Sequence, residues 1–180
     1  MVTGSPRDRV LEAALDVLRD GESITLDSAA RRVGMTKPGL MHHFPTKEAL
    51  MIGLVDCVAD RWHADLTRCL PADAREHPTP VQRMTAYLEC ALTTEFDRTD
   101  LVMFADARLT RLLAERWNER MRHWLSLPED LPSKQHGALA TVRVIADGLW
   151  FDTATGLSPI GAGDRERIRA VAYGLLKDCT

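Results

Sequence analysis

Apolar residues recur every three to four positions along almost the whole chain, and no stretch alternates cleanly enough to predict a strand. In the first such segment Leu11, Leu15 and Leu18 fall on one helical face. The pattern predicts an all-α fold of about nine helices. Their expected ranges are about 6–20, 26–33, 37–44, 47–70, 80–96, 99–107, 109–126, 133–156 and 164–177.

Residues that start and stop helices support these ranges. A side-chain oxygen that can cap a helix N-terminus stands at the start of most of them: Ser5, Thr25, Thr36, Thr46, Thr79, Ser133 and Asp164. Gly34 can take a positive φ at the turn that follows the second helix. The segment 71–80 contains three prolines and predicts a linker. We therefore expect an N-terminal domain over residues 1–50 and a helical domain over 51–180, with the long helix belonging to both halves.

Composition restricts the class of protein further. The chain has 180 residues, and no apolar run approaches the roughly 20 residues of a transmembrane helix. The N-terminus lacks the apolar core of a signal peptide, and the four cysteines stand far apart without a zinc-type spacing. We expect a cytoplasmic protein that has reduced thiols, no metal, no cofactor and no membrane partner.

Charge gives no independent sign of a nucleic-acid partner. The formal net charge is −3, and residues 1–50 hold seven basic and seven acidic side chains. Proteins that bind nucleic acid usually carry a basic stripe, because neutralised phosphates supply much of their affinity. A prediction of DNA binding must therefore depend on a motif.

Residues 25–44 supply that motif. Two short helices are joined by a turn at Gly34, and the small residues Ala29 and Ala30 allow the helices to cross closely. This arrangement is typical of a helix-turn-helix, whose second helix enters the major groove. An ordinary corner between two helices of a bundle is the alternative interpretation of the same pattern.

The string Thr-Lys-Pro-Gly-Leu-Met-His-His-Phe-Pro-Thr-Lys-Glu-Ala-Leu over residues 36–50 closely resembles the signature of the tetracycline-repressor (TetR) family of bacterial transcription regulators. The match covers about residues 8–55. Beyond it the resemblance is one of architecture, an all-helical regulatory domain that dimerises through its C-terminal helices. One position departs from the family pattern. Met41 stands where the family usually has a tyrosine that contacts phosphate, and methionine cannot donate a hydrogen bond.

The resemblance implies a set of DNA-binding residues. It assigns the recognition helix to the major groove and Lys47, with the N-terminus of its helix, to phosphate. We expect His43 and Phe44 to pack inward and seat the recognition helix. The DNA-binding residues predicted in this way are Thr25, Thr36, Lys37, Pro38, Gly39, Met41, His42, Thr46 and Lys47.

Aromatic residues in the predicted helical domain over residues 51–180 predict a site for a small molecule. All four tryptophans fall on apolar stripes, and a set of aromatic residues around one carboxylate suits a flat, apolar or cationic ligand. A well-packed core is the alternative for each tryptophan, and Arg143 can neutralise Asp147 in an i, i+4 pair. The predicted ligand-binding residues are Trp62, Leu66, Leu88, Phe104, Trp117, Met121, Asp147, Trp150 and Phe151.

The last two helices predict a homodimer. The helix at about 133–156 is apolar on two sides, so it must be covered on two sides, and a cavity and a partner subunit would do this. The predicted interface residues are Val142, Ile145, Leu149, Ile168, Val171, Ala172, Leu175 and Leu176.

These features favour a transcription regulator, most simply a repressor that a small effector releases from a pseudo-palindromic DNA operator. Two other classes remain as alternatives. A helical-bundle enzyme is disfavoured, because the sequence has no paired Glu-x-x-His, no His-Glu-x-x-His and no phosphate-binding loop. A helical interaction protein without DNA binding is favoured only by the acidic composition.

Overall fold

The structure is a computed structural model that describes residues 5–179. These residues form eight α-helices and two 3-10 segments and include no strand. The all-α prediction is therefore confirmed. The helices are α1 (Pro6–Arg19), α2 (Leu26–Val33), α3 (Lys37–His43), α4 (Lys47–Cys69), α5 (Pro80–Thr93), α6 (Thr110–Leu125), α7 (Ser133–Thr155) and α8 (Ala162–Lys177), with 3-10 segments at Ala72–Ala74 and Arg98–Phe104.

Most helix starts follow from the predicted caps. Ser5, Thr25 and Thr79 each accept a backbone N–H from three residues ahead, and the side chain at that position bonds back to the cap in a capping box. Two caps were predicted wrongly. Pro132 precedes α7, so Ser133 is the first helical residue, and α8 begins after Gly161, two residues before Asp164.

The segment predicted as a helix at 99–107 is the 3-10 segment Arg98–Phe104, which is kinked at Leu101. Asp97 causes much of this difference. Its carboxylate accepts hydrogen bonds from both the backbone N–H and the hydroxyl of Thr99, at 2.7 and 2.5 Å. Such short local bonds compete with a regular α-helix and favour a tight turn.

The chain divides into two compact units. The first contains the residues up to Asp60 together with Asp97–Arg120, and the second contains Arg61–Phe96 and the residues from Met121 onward. The sequence predicted a domain boundary at residue 50. In the structure the boundary lies within α4, whose residues up to Asp60 belong to the first unit and whose residues from Arg61 belong to the second.

The core of the first unit seats α3. Leu40 and Phe44 are almost fully buried. A Cβ on Gly53 of α4 would lie 3.0 Å from the Phe44 ring, so glycine permits this close approach. The guanidinium of Arg7 lies over the Phe44 ring, 4.8 Å from its centroid.

In the second unit α5 packs against both α7 and α8, and α7 packs against α8. Its core contains large side chains from every one of these helices and from the C-terminal part of α4. The most deeply buried of them include Trp62, Leu66, Met84, Leu88, Val142 and Leu149.

Candidate functional site

The turn between α2 and α3 has the geometry that the sequence predicted. Gly34 adopts φ +73° and ends α2, and Thr36 then caps α3 by accepting the Gly39 N–H at 3.2 Å. Thr25 fixes the start of α2 through its capping box with Ser28. Local bonds hold both helices at both ends, since the Gly34 N–H also donates to the Ala30 carbonyl and the Phe44 N–H to the Leu40 carbonyl.

One side of α3 is packed and the other faces solvent. Leu40 is fully buried, whereas Thr36, Lys37, Pro38, Met41 and His42 are exposed and Gly39 is half-buried. Met41 is 40% exposed, so this apolar side chain is presented outward without a packing role in its own unit. The exposed set coincides with the side of α3 that the sequence assigned to the DNA groove.

Lys37 is paired across the turn. Its Nζ lies 2.9 Å from Oδ2 of Asp27 in the first turn of α2, and both side chains are exposed. Asp27 also complements the positive end of the α2 dipole. The ammonium group of Lys37 is thus positioned by α2 and remains accessible to water.

Lys47 is also paired, with a residue that the sequence did not indicate. Its Nζ donates to Oδ2 of Asp106 at 2.5 Å. Asp106 lies 59 positions after Lys47 in the sequence, just beyond the 3-10 segment Arg98–Phe104. The Lys47 ammonium, together with the Arg108 backbone N–H, holds the pKa of Asp106 below its ordinary value. No local pattern could reveal this pair, because folding brings together two distant segments.

The start of α4 lies beside this ion pair. Thr46 caps the helix by accepting the Ala49 N–H at 3.1 Å. Helix N-termini carry unpaired N–H groups and a partial positive charge that favour phosphate. A phosphate at this helix start would also lie near the Lys47 ammonium, which in this structure is bound to Asp106.

An aromatic cluster lies in the second unit. Its centre is Trp62, whose ring stacks on Phe96 with centroids 4.9 Å apart and meets Trp150 edge-on at 5.7 Å. Tyr87 contacts Trp62 at 5.8 Å. Trp62 is only 2% exposed, so a ligand would have to separate these rings to stack among them.

Asp147 lies at the edge of the aromatic cluster and has two partners. It accepts the Tyr87 hydroxyl at 2.6 Å and forms an ion pair with Arg143 at 3.7 Å. Burial and the negative charge of Asp147 raise the pKa of Tyr87 well above its ordinary value. A cationic ligand would have to compete with Arg143 for this carboxylate.

The predicted ligand-binding residues are distributed over both units. Phe104 and Trp117 belong to the first unit, and Phe104 is 57% exposed. The other seven belong to the second, where Trp62, Trp150 and, through Tyr87, Asp147 come together. Tyr87 and Phe96 were missed, although the aromatic character of both residues was available as a signal.

The exposed faces of α7 and α8 form an apolar groove of about 390 Å³. It is lined by Val144, Ile145, Gly148, Leu149, Ile160, Arg167, Ile168 and Val171. Val144 and Val171 are 67% and 63% exposed, which is unusual for valine. Ile145, Leu149, Ile168 and Val171 were predicted for the dimer interface.

The other predicted interface residues have different surroundings. Val142, Ala172 and Leu176 are buried inside the single chain, so they need no partner to cover them. Leu149 lines the groove but is itself only 1% exposed. Leu175 is half-buried. Val144 and Gly148 line the groove but were not predicted for the interface, because they fall between the two apolar faces that the sequence pattern emphasised.

Residues 5–179 contain no cluster of three or more side chains able to hold a metal ion. Within the same range, no helix is long and apolar enough to cross a membrane.

Comparison with known proteins agrees with this architecture. Residues 81–172, more than half of the chain, match the family of tetracyclin repressor-like C-terminal domains. The fold also matches the crystal structure of the multidrug binding protein EbrR complexed with imidazole, with a TM-score of 0.59 and 20% sequence identity over 96% of this chain and 95% of that one. No curated protein sequence matched. The family match covers the α5–α8 region, and the signature at residues 36–50 lies outside it, so two separate parts of the chain give the same assignment. The chain belongs to the tetracycline-repressor family of ligand-responsive transcription regulators.

Proposed function

We propose that this chain is a homodimeric repressor that binds a pseudo-palindromic operator in double-stranded DNA. The observation that carries the proposal is the exposed side of α3, which is held by capped helix ends and a buried Leu40. A rigidly seated short helix with polar and small residues outward fits the major groove. In this role the protein acts in the cytoplasm, without catalysis or a bound cofactor.

Contacts divide between bases and phosphates. Lys37 and His42 carry donors that can reach base edges, and the small residues Pro38 and Gly39 allow the start of α3 to approach them closely. Thr25, Thr36, Thr46 and Lys47 lie near helix N-termini, where hydroxyl, ammonium and backbone N–H groups suit phosphate. Binding requires Lys47 to exchange the Asp106 carboxylate for a phosphate oxygen.

The groove of α7 and α8 is the proposed dimer interface. A second copy of the same groove would cover Val144 and Val171 and would relate the two α3 helices by a two-fold axis. Two-fold related recognition helices read half-sites about 34–36 Å apart on one side of the duplex. The operator should therefore be a pseudo-palindrome.

The proposed effector is a flat apolar aromatic molecule that enters the aromatic cluster of Trp62, Tyr87, Phe96 and Trp150. The Trp150 indole N–H supports this site, because it is buried and its interaction with the Tyr87 hydroxyl falls short of a regular hydrogen bond. An acceptor atom on the ligand would satisfy it. The drug binding named for EbrR is compatible with such a site, and with control of a drug-efflux function.

A mobility-shift assay tests the proposal. The protein is titrated onto its own upstream DNA and onto unrelated DNA of equal length, at three salt concentrations. We expect preferential binding of the upstream fragment, which disappears when either half of its palindrome is scrambled. Equal or absent binding to both fragments would instead support the interaction protein without DNA recognition.

A further inference from the structure

Arg83 in the first part of α5 is a buried cation without an acidic partner. It is 9% exposed, and within residues 5–179 its guanidinium has one hydrogen-bond partner, the carbonyl of His123. By contrast, the partly buried Arg116 and Arg165 each pair with an aspartate. Burial lowers the pKa of Arg83, with no acidic group nearby to oppose the shift. A charge placed in this way is costly unless something compensates it.

One role of Arg83 is structural. The bond to His123 satisfies a carbonyl in the last turn of α6, where cations complement the helix dipole. This bond uses Nη1 alone. Nε is occluded and unbonded, and Nη2 is neither bonded nor occluded among the described residues. Much of the donor capacity of the guanidinium is therefore unused.

Arg83 lines a solvent-open pocket of about 480 Å³, which we call the Arg83 pocket. It is lined by Arg83, Arg122, His123, Ser126, Leu127 and Pro128. Arg122 is exposed and has no ion-pair partner among residues 5–179. No acidic residue lines the pocket, although acidic residues outnumber basic ones in the chain by 26 to 23.

We propose that the Arg83 pocket binds a small organic anion with a carboxylate or phosphate head group. Two guanidinium groups and the Ser126 hydroxyl supply donors, and planar guanidinium groups suit the oxygens of either head group. Leu127 and Pro128 provide an apolar wall for the remainder of the molecule. The volume lies within the range of small-molecule sites.

This site goes beyond the proposed function. None of its residues belongs to the aromatic cluster, to α3 or to the groove of α7 and α8. The anion site therefore stands or fails independently of DNA binding and of the aromatic effector.

Calorimetric titration of the full chain tests the site with octanoate, acetate and inorganic phosphate, at constant ionic strength set with sodium chloride. Because charge-assisted hydrogen bonds contribute strongly to binding, we expect Arg83→Gln and Arg122→Gln each to weaken binding about tenfold or more. Arg111→Gln is the matched control, since it removes the same charge from an exposed position of α6 and should leave binding unchanged.

Since Arg83 also caps α6, Arg83→Gln can disturb folding, so circular dichroism accompanies each titration. Arg122 is exposed, so Arg122→Gln should fold normally and report on anion binding alone. Octanoate binding that is unchanged in a folded Arg122→Gln variant, or equalled by neutral 1-octanol, would overturn the proposal. Tighter binding of octanoate than acetate assigns a carboxylate with an apolar tail, whereas tighter binding of phosphate than either carboxylate assigns a phosphate head group. Absence of arginine-dependent binding by all three anions would also refute it.

Discussion

At the residue scale, the ammonium group of Lys47 can bind either a carboxylate of the protein or a phosphate of DNA. In this structure it is bound to Asp106 at 2.5 Å, yet it lies at the first residue of α4, where the helix presents its amide donors. A lysine that contacts phosphate acts on every DNA sequence alike, because the phosphate backbone is uniform.

We predict that Lys47→Ala weakens binding to operator and unrelated DNA by similar factors. The slope of log affinity against log salt should fall by about one unit, since one fewer counterion is released. Titrations at several salt concentrations measure both effects. Lys134→Ala, which removes an equal charge from the start of α7, is the control. A changed base preference with an unchanged slope would contradict the assigned role.

Asp106→Asn should have the opposite effect and tighten DNA binding about two- to fivefold. This range is typical of an ion pair near the surface. In the variant the part-buried Asp106 carboxylate no longer competes with phosphate for Lys47. Asparagine retains the Oδ1 that accepts the Arg108 N–H at 2.9 Å, so the local turn is preserved.

Two controls isolate the pair. Asp73→Asn changes the net charge equally at an exposed position of the second unit and should have little effect. In the Lys47→Ala background, Asp106→Asn should lose most of its effect, as a double-mutant cycle measures. Equal tightening with or without Lys47 would show that Asp106 acts on DNA directly.

At the element scale, local chemistry explains which features could be predicted. The caps at Ser5, Thr25, Thr36 and Thr79 and the positive φ of Gly34 depend on neighbours within a few residues, so the sequence contains the whole cause. The division of an apolar helix such as α7 between core and surface depends on which helices cover it. The sequence pattern predicted two apolar faces, but Val142 and Leu149 proved to be covered by the chain itself.

Val171→Asp should separate the dimer while leaving the protomer folded. Val171 is 63% exposed in the single chain, so a charge there costs little until a partner covers it. Leu149→Asp is unsuitable for this purpose, because Leu149 is buried and the change would unfold the protomer. Sedimentation velocity at micromolar concentration distinguishes monomer from dimer, and circular dichroism reports the fold.

The control for this variant is Leu157→Asp, at an 81% exposed position outside the groove. It should remain dimeric. If Val171→Asp sediments as the wild type does, the two-fold interface lies on another face and the predicted operator symmetry loses its structural basis.

At the scale of the whole molecule, α4 is the continuous element that contains both Lys47 and Trp62. Lys47 is assigned to DNA in one unit and Trp62 to the effector in the other. A ligand that separates the rings around Trp62 must displace this part of α4 or its neighbours, because the cluster leaves Trp62 only 2% exposed. An effector and an operator that favour different positions of one helix necessarily disfavour each other.

Thermodynamic linkage makes this coupling reciprocal: the factor by which effector weakens operator binding must equal the factor by which operator weakens effector binding. We predict a factor of about 5–150, typical of allosteric proteins.

The effector is selected from flat aromatic compounds without affinity for DNA, and its binding is followed by tryptophan quenching with and without operator. Trp150→Phe retains an aromatic ring but removes the indole N–H, so it should weaken the effector and leave operator affinity without effector nearly unchanged. Trp124→Phe, which removes a buried indole N–H outside the aromatic cluster, is the matched control. If an effector that releases the wild type from DNA acts equally well on Trp150→Phe, the effector does not use that N–H, and the site proposed in the aromatic cluster is refuted.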